Sequence, residues 1–217
     1  MKQFDLIVFD WDGTLMDSAA AIVTALQAAA VDIGVAPPSD ERARHIIGLG
    51  LQEALQYAMP DLTSEHYRAL SERYRYHYLA RDHELVLFQG ANELVDALAN
   101  DGYMLAVATG KTRKGLDRAF AHSGLGPIFH DSRCADECHS KPHPQMLLEL
   151  MDAFAVPPEK TLMIGDTTHD LLMARNAGTH SLAVSYGAHP RDALVAEASV
   201  GCVDSIDELT HWLRQVA

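Results

Sequence analysis

Four apolar runs, at 4–10, 103–108, 161–165 and 181–185, with a weaker one near 199–203, punctuate this chain of 217 residues. Their length and unbroken apolar character are those of short strands buried on both faces. Helical patterns fill the intervals between the later runs, at 91–100, 112–122, 143–154, 169–177, 189–197 and 205–215. Strands alternating with helices predict right-handed crossovers and an α/β fold, a parallel-sheet, Rossmann-like core covered by helices on both faces. In such sheets ligands bind beyond the carboxyl ends of the strands.

One interval breaks the alternation. Residues 16–87 contain no convincing strand and read as helices only, over 18–33, 40–47, 51–58 and 63–81. The stretch Ala19 to Ala30 is rich in Ala, Leu and Ile at helical spacing, with Asp17 or Ser18 as its expected N-cap. Pro37-Pro38-Ser39 ends that helix, and Ser39 or Asp40 can cap the next. The predicted organisation is a catalytic core from 1–15 and 88–217, with 16–87 an inserted α-helical domain. Segments near 14–18 and 82–90 tether the insert and are its natural hinge.

The first strand ends in Phe9-Asp10-Trp11-Asp12-Gly13-Thr14-Leu15. Residues i and i+2 of a strand point the same way, so Asp10 and Asp12 are expected to face one spot. Gly13 then permits a sharp turn. Two neighbouring carboxylates withdrawn from water repel each other, and a metal ion is the usual remedy. Three more polar signals follow in order. The run 103–108 ends in Thr109-Gly110-Lys111, the loop Lys141-Pro142-His143-Pro144 precedes a helix, and Thr161 to Gly165 leads into Asp166-Thr167-Thr168-His169-Asp170. Taken singly, Thr109 reads as a helix N-cap and Lys141 as a solvated loop charge. Their order, and the placement of Asp10, Asp12, Thr109 and Asp166 at strand ends, point instead to one site.

These four segments together resemble the signature of the haloacid dehalogenase-like hydrolase superfamily, in its phosphoglycolate phosphatase-like branch, and the match extends over nearly the whole chain. The resemblance implies that 16–87 is a cap closing over the active site. It implies Asp10 as a nucleophile that forms an aspartyl-phosphate, and Asp12 as general acid and then base. Those two jobs need different protonation states, so Asp12 is expected to have the higher pKa. Thr109, Gly110 and Lys141 would hold the phosphoryl oxygens. Mg²⁺ is the implied cofactor, held by Asp10, the backbone carbonyl of Asp12, and Asp166. Asp170, one helical turn beyond Asp166, is expected to orient Asp166 or a metal-bound water. Thr167 stands where members of the superfamily often carry a second acid.

The implied activity is hydrolysis of a small-molecule phosphate monoester. Within the superfamily the alternative is a sugar-phosphate mutase (β-phosphoglucomutase-like), which must also shield its phospho-enzyme from water. Phosphonate cleavage would need a Schiff-base lysine in the cap, and 16–87 contains no Lys. From another class comes a catalytically silent binding module, whose mark would be loss of Asp10, Asp12, Lys141 or Asp166; none is lost.

A net charge of −13 argues against a nucleic-acid partner. No apolar run approaches the roughly 20 residues of a membrane helix. The opening Met1-Lys2-Gln3-Phe4-Asp5 lacks the basic and apolar regions of a signal peptide, and three cysteines are an odd number, so a cytoplasmic monomer or homodimer is expected. Cys134, Cys138, His139 and His143 raise a zinc site, but lack a paired CxxC. The twelve histidines look scattered. Tyr67, Tyr74 and Tyr78 recur at helical spacing and read as packing. Lys111 reads either as a substrate contact or as a first-turn helix charge. The Gly48-Leu49-Gly50 loop, next to Arg44 and His45, is the expected point where the insert reaches the site.

Overall fold

The computed structural model describes residues 2–216. Six strands form one parallel sheet: β1 (Leu6–Phe9), β2 (Met104–Thr109), β3 (Asp131–Cys134), β4 (Thr161–Gly165), β5 (His180–Val184) and β6 (Gly201–Val203). Their order is β3-β2-β1-β4-β5-β6. The chain therefore builds outward from β1 on one side, then crosses back to build on the other. That makes the boundary between β1 and β4 the switch point, where a crevice opens at the strand ends.

The sheet is covered on both faces because β1 alternates between two apolar layers. Ile7 and Phe9 join Leu94, Val95, Leu105, Leu116 and Leu209, beneath the helices α5 (Ala91–Asn100), α6 (Arg113–Ser123) and α10 (Ile206–Gln215). Leu6 and Val8 join Met146, Leu147, Leu150 and Met173, beneath α7 (Gln145–Phe154) and α8 (Thr168–Ala177). Helix α9 (Arg191–Glu197) covers β5 through Leu194. The strand β3 falls where the sequence shows no apolar run. It is an edge strand whose Ser132 and Cys134 point inward while Asp131 and Arg133 lie half-exposed, so it carries no apolar run.

Between β1 and α5 lie four helices: α1 (Ala19–Asp32), α2 (Asp40–His45), α3 (Leu51–Ala58) and α4 (Ser64–Arg81). They close on an apolar cluster of their own, centred on Ile22, Leu26, Ala29, Leu55 and Leu70. Ser39 and Thr63 cap α2 and α4, each accepting a backbone N–H three residues on. Ser18 occupies the N-cap position of α1 without capping it, because its hydroxyl is committed elsewhere. The two crossings between helices and sheet are bonded to each other: Phe88 N–H donates to Leu15 O (2.9 Å) and Asp17 N–H to Val86 O (3.0 Å). Among the described residues no helix is long and apolar enough to cross a membrane.

Candidate active site

Parallel register sets the site. Phe9 pairs with Ile164 of β4 and with Val107 of β2, so the chain leaves β1 at Asp10 level with the ends of both neighbours. Asp10, Thr109, Lys141, Asp166 and Asp170 are all buried there. Lys141 Nζ lies 2.7 Å from Asp10 Oδ1 and 2.7 Å from Asp170 Oδ1. Asp166 accepts from Thr14 Oγ1 (2.9 Å) and from the Ala188 N–H (2.7 Å). Asp170 also closes a capping box at the start of α8, accepting from Thr167 N–H (3.1 Å) and Thr167 Oγ1 (2.6 Å). Asp170 thus contacts Lys141 and Thr167 directly, with Asp166 close by.

Oxygens of Asp10, Asp166 and Asp170 lie within 4.8 Å of one another. Three buried carboxylates against one ammonium leave two negative charges uncompensated when all are ionised. Asp10 Oδ2 has no hydrogen-bond partner among the described residues. Burial pushes Asp10 up to about 7, with Lys141 opposing and Asp170 reinforcing. Burial, then Asp10 and Asp170, raise Asp166 well above the carboxylate range. For the protein groups alone, desolvation of Asp10 outweighs the single lysine. A divalent cation would correct both shifts, and an all-oxygen donor set suits a hard one.

Asp12 has polar partners of its own beside this group. Strand geometry ends at Phe9, and the N–H groups of Leu15 and Met16 both fold back on Trp11 O (3.0 Å each). Asp12 turns to Lys111 Nζ (2.9 Å) and accepts from Ser18 Oγ (2.7 Å). Lys111 donates also to the Tyr78 hydroxyl of α4 (2.9 Å). Burial acts to lower the Lys111 pKa, but Asp12 and Tyr78 outweigh it and hold the ammonium charged. Lys111 is therefore a partner of the second aspartate, a role its position one residue after Gly110 did not reveal.

Two glycines let the insert reach the floor of the site. A Cβ on Gly110 would sit 2.5 Å from Leu49 O and 2.6 Å from Gly48 O. Gly48 adopts φ +89°, and a Cβ there would meet Thr167 Oγ1 at 3.3 Å and Asp10 Oδ2 at 3.9 Å. The Gly50 N–H donates to Ser140 Oγ (2.8 Å), one residue before Lys141. So the Gly48-Leu49-Gly50 loop touches both the Gly110 and the Lys141 segments. Thr109 is not a cap: Thr112 caps α6, while Thr109 Oγ1 accepts from the Lys111 N–H (3.2 Å).

Three histidines far apart in sequence meet at the same boundary. The Nε2 atoms of His169 and His189 lie 2.7 Å and 3.1 Å from His45 O at the end of α2. His189 Nδ1 accepts from the Thr168 N–H (3.1 Å), which leaves its Nε2 as the donor to His45. Burial pushes His189 down to about 4, so that ring is neutral at pH 7, and burial also lowers His169. With both His189 nitrogens engaged, the trio ties the insert to the Asp166 loops instead of offering lone pairs to a metal. The cysteine–histidine segment gathers no such group: Cys134 is buried in the sheet layer, and Cys138 donates weakly to Glu149 at 3.6 Å. Tyr67 packs as expected, donating to Met59 O (2.7 Å), whereas Tyr74 and Tyr78 also line a cavity beside Asp12.

Such a floor concentrates three carboxylates and one lysine at the switch point of a parallel α/β sheet. Residues 7–184 match the model of the haloacid dehalogenase-like hydrolases, and the chain belongs to that family. It is 36% identical over 211 residues to "Probable phosphatase IndB" of Dickeya dadantii, covering 94% of this chain and 91% of that one. It is 30% identical to a phosphoglycolate phosphatase of Vibrio parahaemolyticus, over 96% of this chain and 95% of that one. Among solved structures, "a predicted phosphoglycolate phosphatase from haemophilus somnus" superposes with a TM-score of 0.85 at 25% identity, covering 98% of this chain and 99% of that one. A hydrolase from Pseudomonas syringae reaches 0.89 over the full length of both, at 23% identity, a likeness of fold.

Proposed function

We propose that this enzyme is a Mg²⁺-dependent phosphatase that cleaves a small-molecule phosphate monoester through an aspartyl-phosphate on Asp10. The observation that carries the reading is the division of labour between the two aspartates. Asp10 lies with Asp166, Asp170 and Lys141 in a buried, cation-demanding pocket, and Asp12 faces the adjoining cavity. The relatives named as phosphatases support the same reaction class.

In this scheme an Asp10 carboxylate oxygen attacks phosphorus, and the bond from phosphorus to the ester oxygen breaks. Asp12, held by Ser18 and Lys111, gives its proton to the departing alkoxide. It then takes a proton from water, whose oxygen attacks phosphorus, breaks the bond to Asp10 and releases inorganic phosphate. Lys141, the Thr109 hydroxyl and the Gly110 N–H are the groups placed to bind phosphoryl oxygens. Asp10, Asp166 and the Asp12 carbonyl would hold the Mg²⁺, which supplies neutralisation of charge on the transferring group. Asp170 positions Lys141. The inserted helices act as the cap, with the bonded crossings at Leu15–Phe88 and Asp17–Val86 as hinge.

The test is release of inorganic phosphate from an aryl phosphate with and without Mg²⁺, comparing wild type with Asp10→Asn. We expect dependence on the metal and a loss of at least about 10³-fold in kcat in the variant, the scale seen when a nucleophile is removed. Full activity in Asp10→Asn would end the nucleophile assignment. The relatives' names nominate 2-phosphoglycolate as the first natural ester to try.

A further inference from the structure

Asp12 and Gly110 border a cavity of about 490 Å³ between the core and the inserted helices. If Asp12 protonates the leaving oxygen, the body of the leaving alcohol lies in that space. Its far wall is apolar: Ile22 and Leu26 of α1, Leu51 and Leu55 of α3, and Tyr74 and Leu79 of α4. Tyr74 and Tyr78 stack at 5.8 Å with 25° between their planes. This volume falls in the range that encloses ring-bearing ligands, roughly 300–1,000 Å³. A two-carbon alcohol would leave most of the wall in contact with water alone.

The charges point the same way. A carboxylate on a short leaving group needs a free cation close to the reacting phosphorus. Of the cations lining the cavity, the one beside Asp12 is Lys111, already engaged by Asp12 Oδ2 and by Tyr78, each at 2.9 Å. Arg118, further along the wall, is paired with Asp82 at 3.3 Å. Lys114 and Arg75 stand exposed at the rim, out where a distal polar substituent would emerge. Sequence identity of 29–31% to several phosphoglycolate phosphatases leaves ample room for this wall to differ from theirs.

We propose that the preferred substrate is the phosphate monoester of an alcohol with a ring-sized, apolar or aromatic body, rather than of a two-carbon hydroxy acid. The inference rests on the phosphatase reading for the direction of the leaving group. Its test is therefore binding, which needs no turnover. Calorimetry on the Mg²⁺-loaded enzyme would compare two non-hydrolysable phosphonates: 2-phenylethylphosphonate, which mimics benzyl phosphate, and 3-phosphonopropionate, which mimics phosphoglycolate.

The phenyl analogue should bind at least tenfold more tightly. Leu51→Trp, which fills the cavity, and Leu79→Asp, at a position already 42% exposed and so tolerant of charge, should each narrow that gap at least threefold. Equal or tighter binding of the phosphonopropionate overturns the proposal, as does a gap that survives both substitutions or no binding of the phenyl analogue. Binding in the expected order, with neither benzyl phosphate nor phosphoglycolate hydrolysed, would uphold the cavity assignment and reject the phosphatase reading instead.

Discussion

The floor and the roof of this site are built on opposite principles. The floor, at the ends of β1, β2 and β4, holds Asp10, Asp166, Asp170 and Lys141 fully out of water, with nearly every oxygen assigned to a named donor or cation. The roof, from α1 to α4, meets the cavity with aliphatic side chains and two tyrosines, and its own core is a separate apolar cluster. Fixed buried charge is intolerant of substitution, because each ion was desolvated on the strength of its partners. An apolar wall tolerates exchange of one hydrocarbon for another at modest cost. The contrast teaches that exchange is costly in the floor and cheap in the roof, which on the proposed reading leaves the roof as the place where substrate choice can vary.

The most severe way to break the contrast is Lys141→Met. It leaves three buried carboxylates without a lysine, and removal of one partner from a buried pair costs about 3–5 kcal/mol. The urea midpoint should fall accordingly at pH 7.5, and less at pH 5.5, where protonation relieves the carboxylates. An unchanged midpoint at pH 7.5 would mean that the floor is not charge-locked.

Gly110→Ala probes the seam between the two regions. The new methyl would meet the Gly48 and Leu49 carbonyls, and the Gly48-Leu49-Gly50 loop must retreat to make room. A displacement of about 1 Å near the reacting centre costs roughly 10²-fold in kcat/KM. Thermal stability should change little, since the loop shift leaves both apolar cores intact. Wild-type kcat/KM would show that the loop contact is dispensable.

The gentlest test sharpens the electrostatics of the floor. The folded Asp10 sits at about 7, above the ordinary carboxylate value near 3.9 of an unfolded chain. Between those values the folded state binds more protons, so without metal the Asp10 contribution to stability is lost as pH rises toward 7. Mg²⁺ competes with protons for the same oxygens. Its effect on Tm should therefore be a few degrees larger at pH 7.5 than at pH 5.5. A larger gain at the lower pH would contradict this account.

Much of the fold was legible because buried parallel strands must be apolar on both faces, which writes β1, β2, β4 and β5 directly into the residue order. The edge strand β3 escaped, since a half-exposed strand with Asp131 and Arg133 outward needs no such run. Asp10 and Asp166 were legible because each directly follows an apolar strand, whereas Lys141 and Asp170 stood out only through their order in the chain and the family resemblance.

The sequence by itself determined that alternation, the helical insert and the ordered quartet of Asp10, Thr109, Lys141 and Asp166. Tertiary structure alone decided who meets whom across the chain. It paired Lys111 with Asp12 and Tyr78, turned Ser18 from a helix cap into a ligand of Asp12, and set Asp170 on Lys141. It also brought together His45, His169 and His189, which are separated by as many as 144 residues. The physical reason is that periodicity and caps act within a few residues, whereas ion pairs and cavity walls depend on how distant elements pack, which no local pattern encodes.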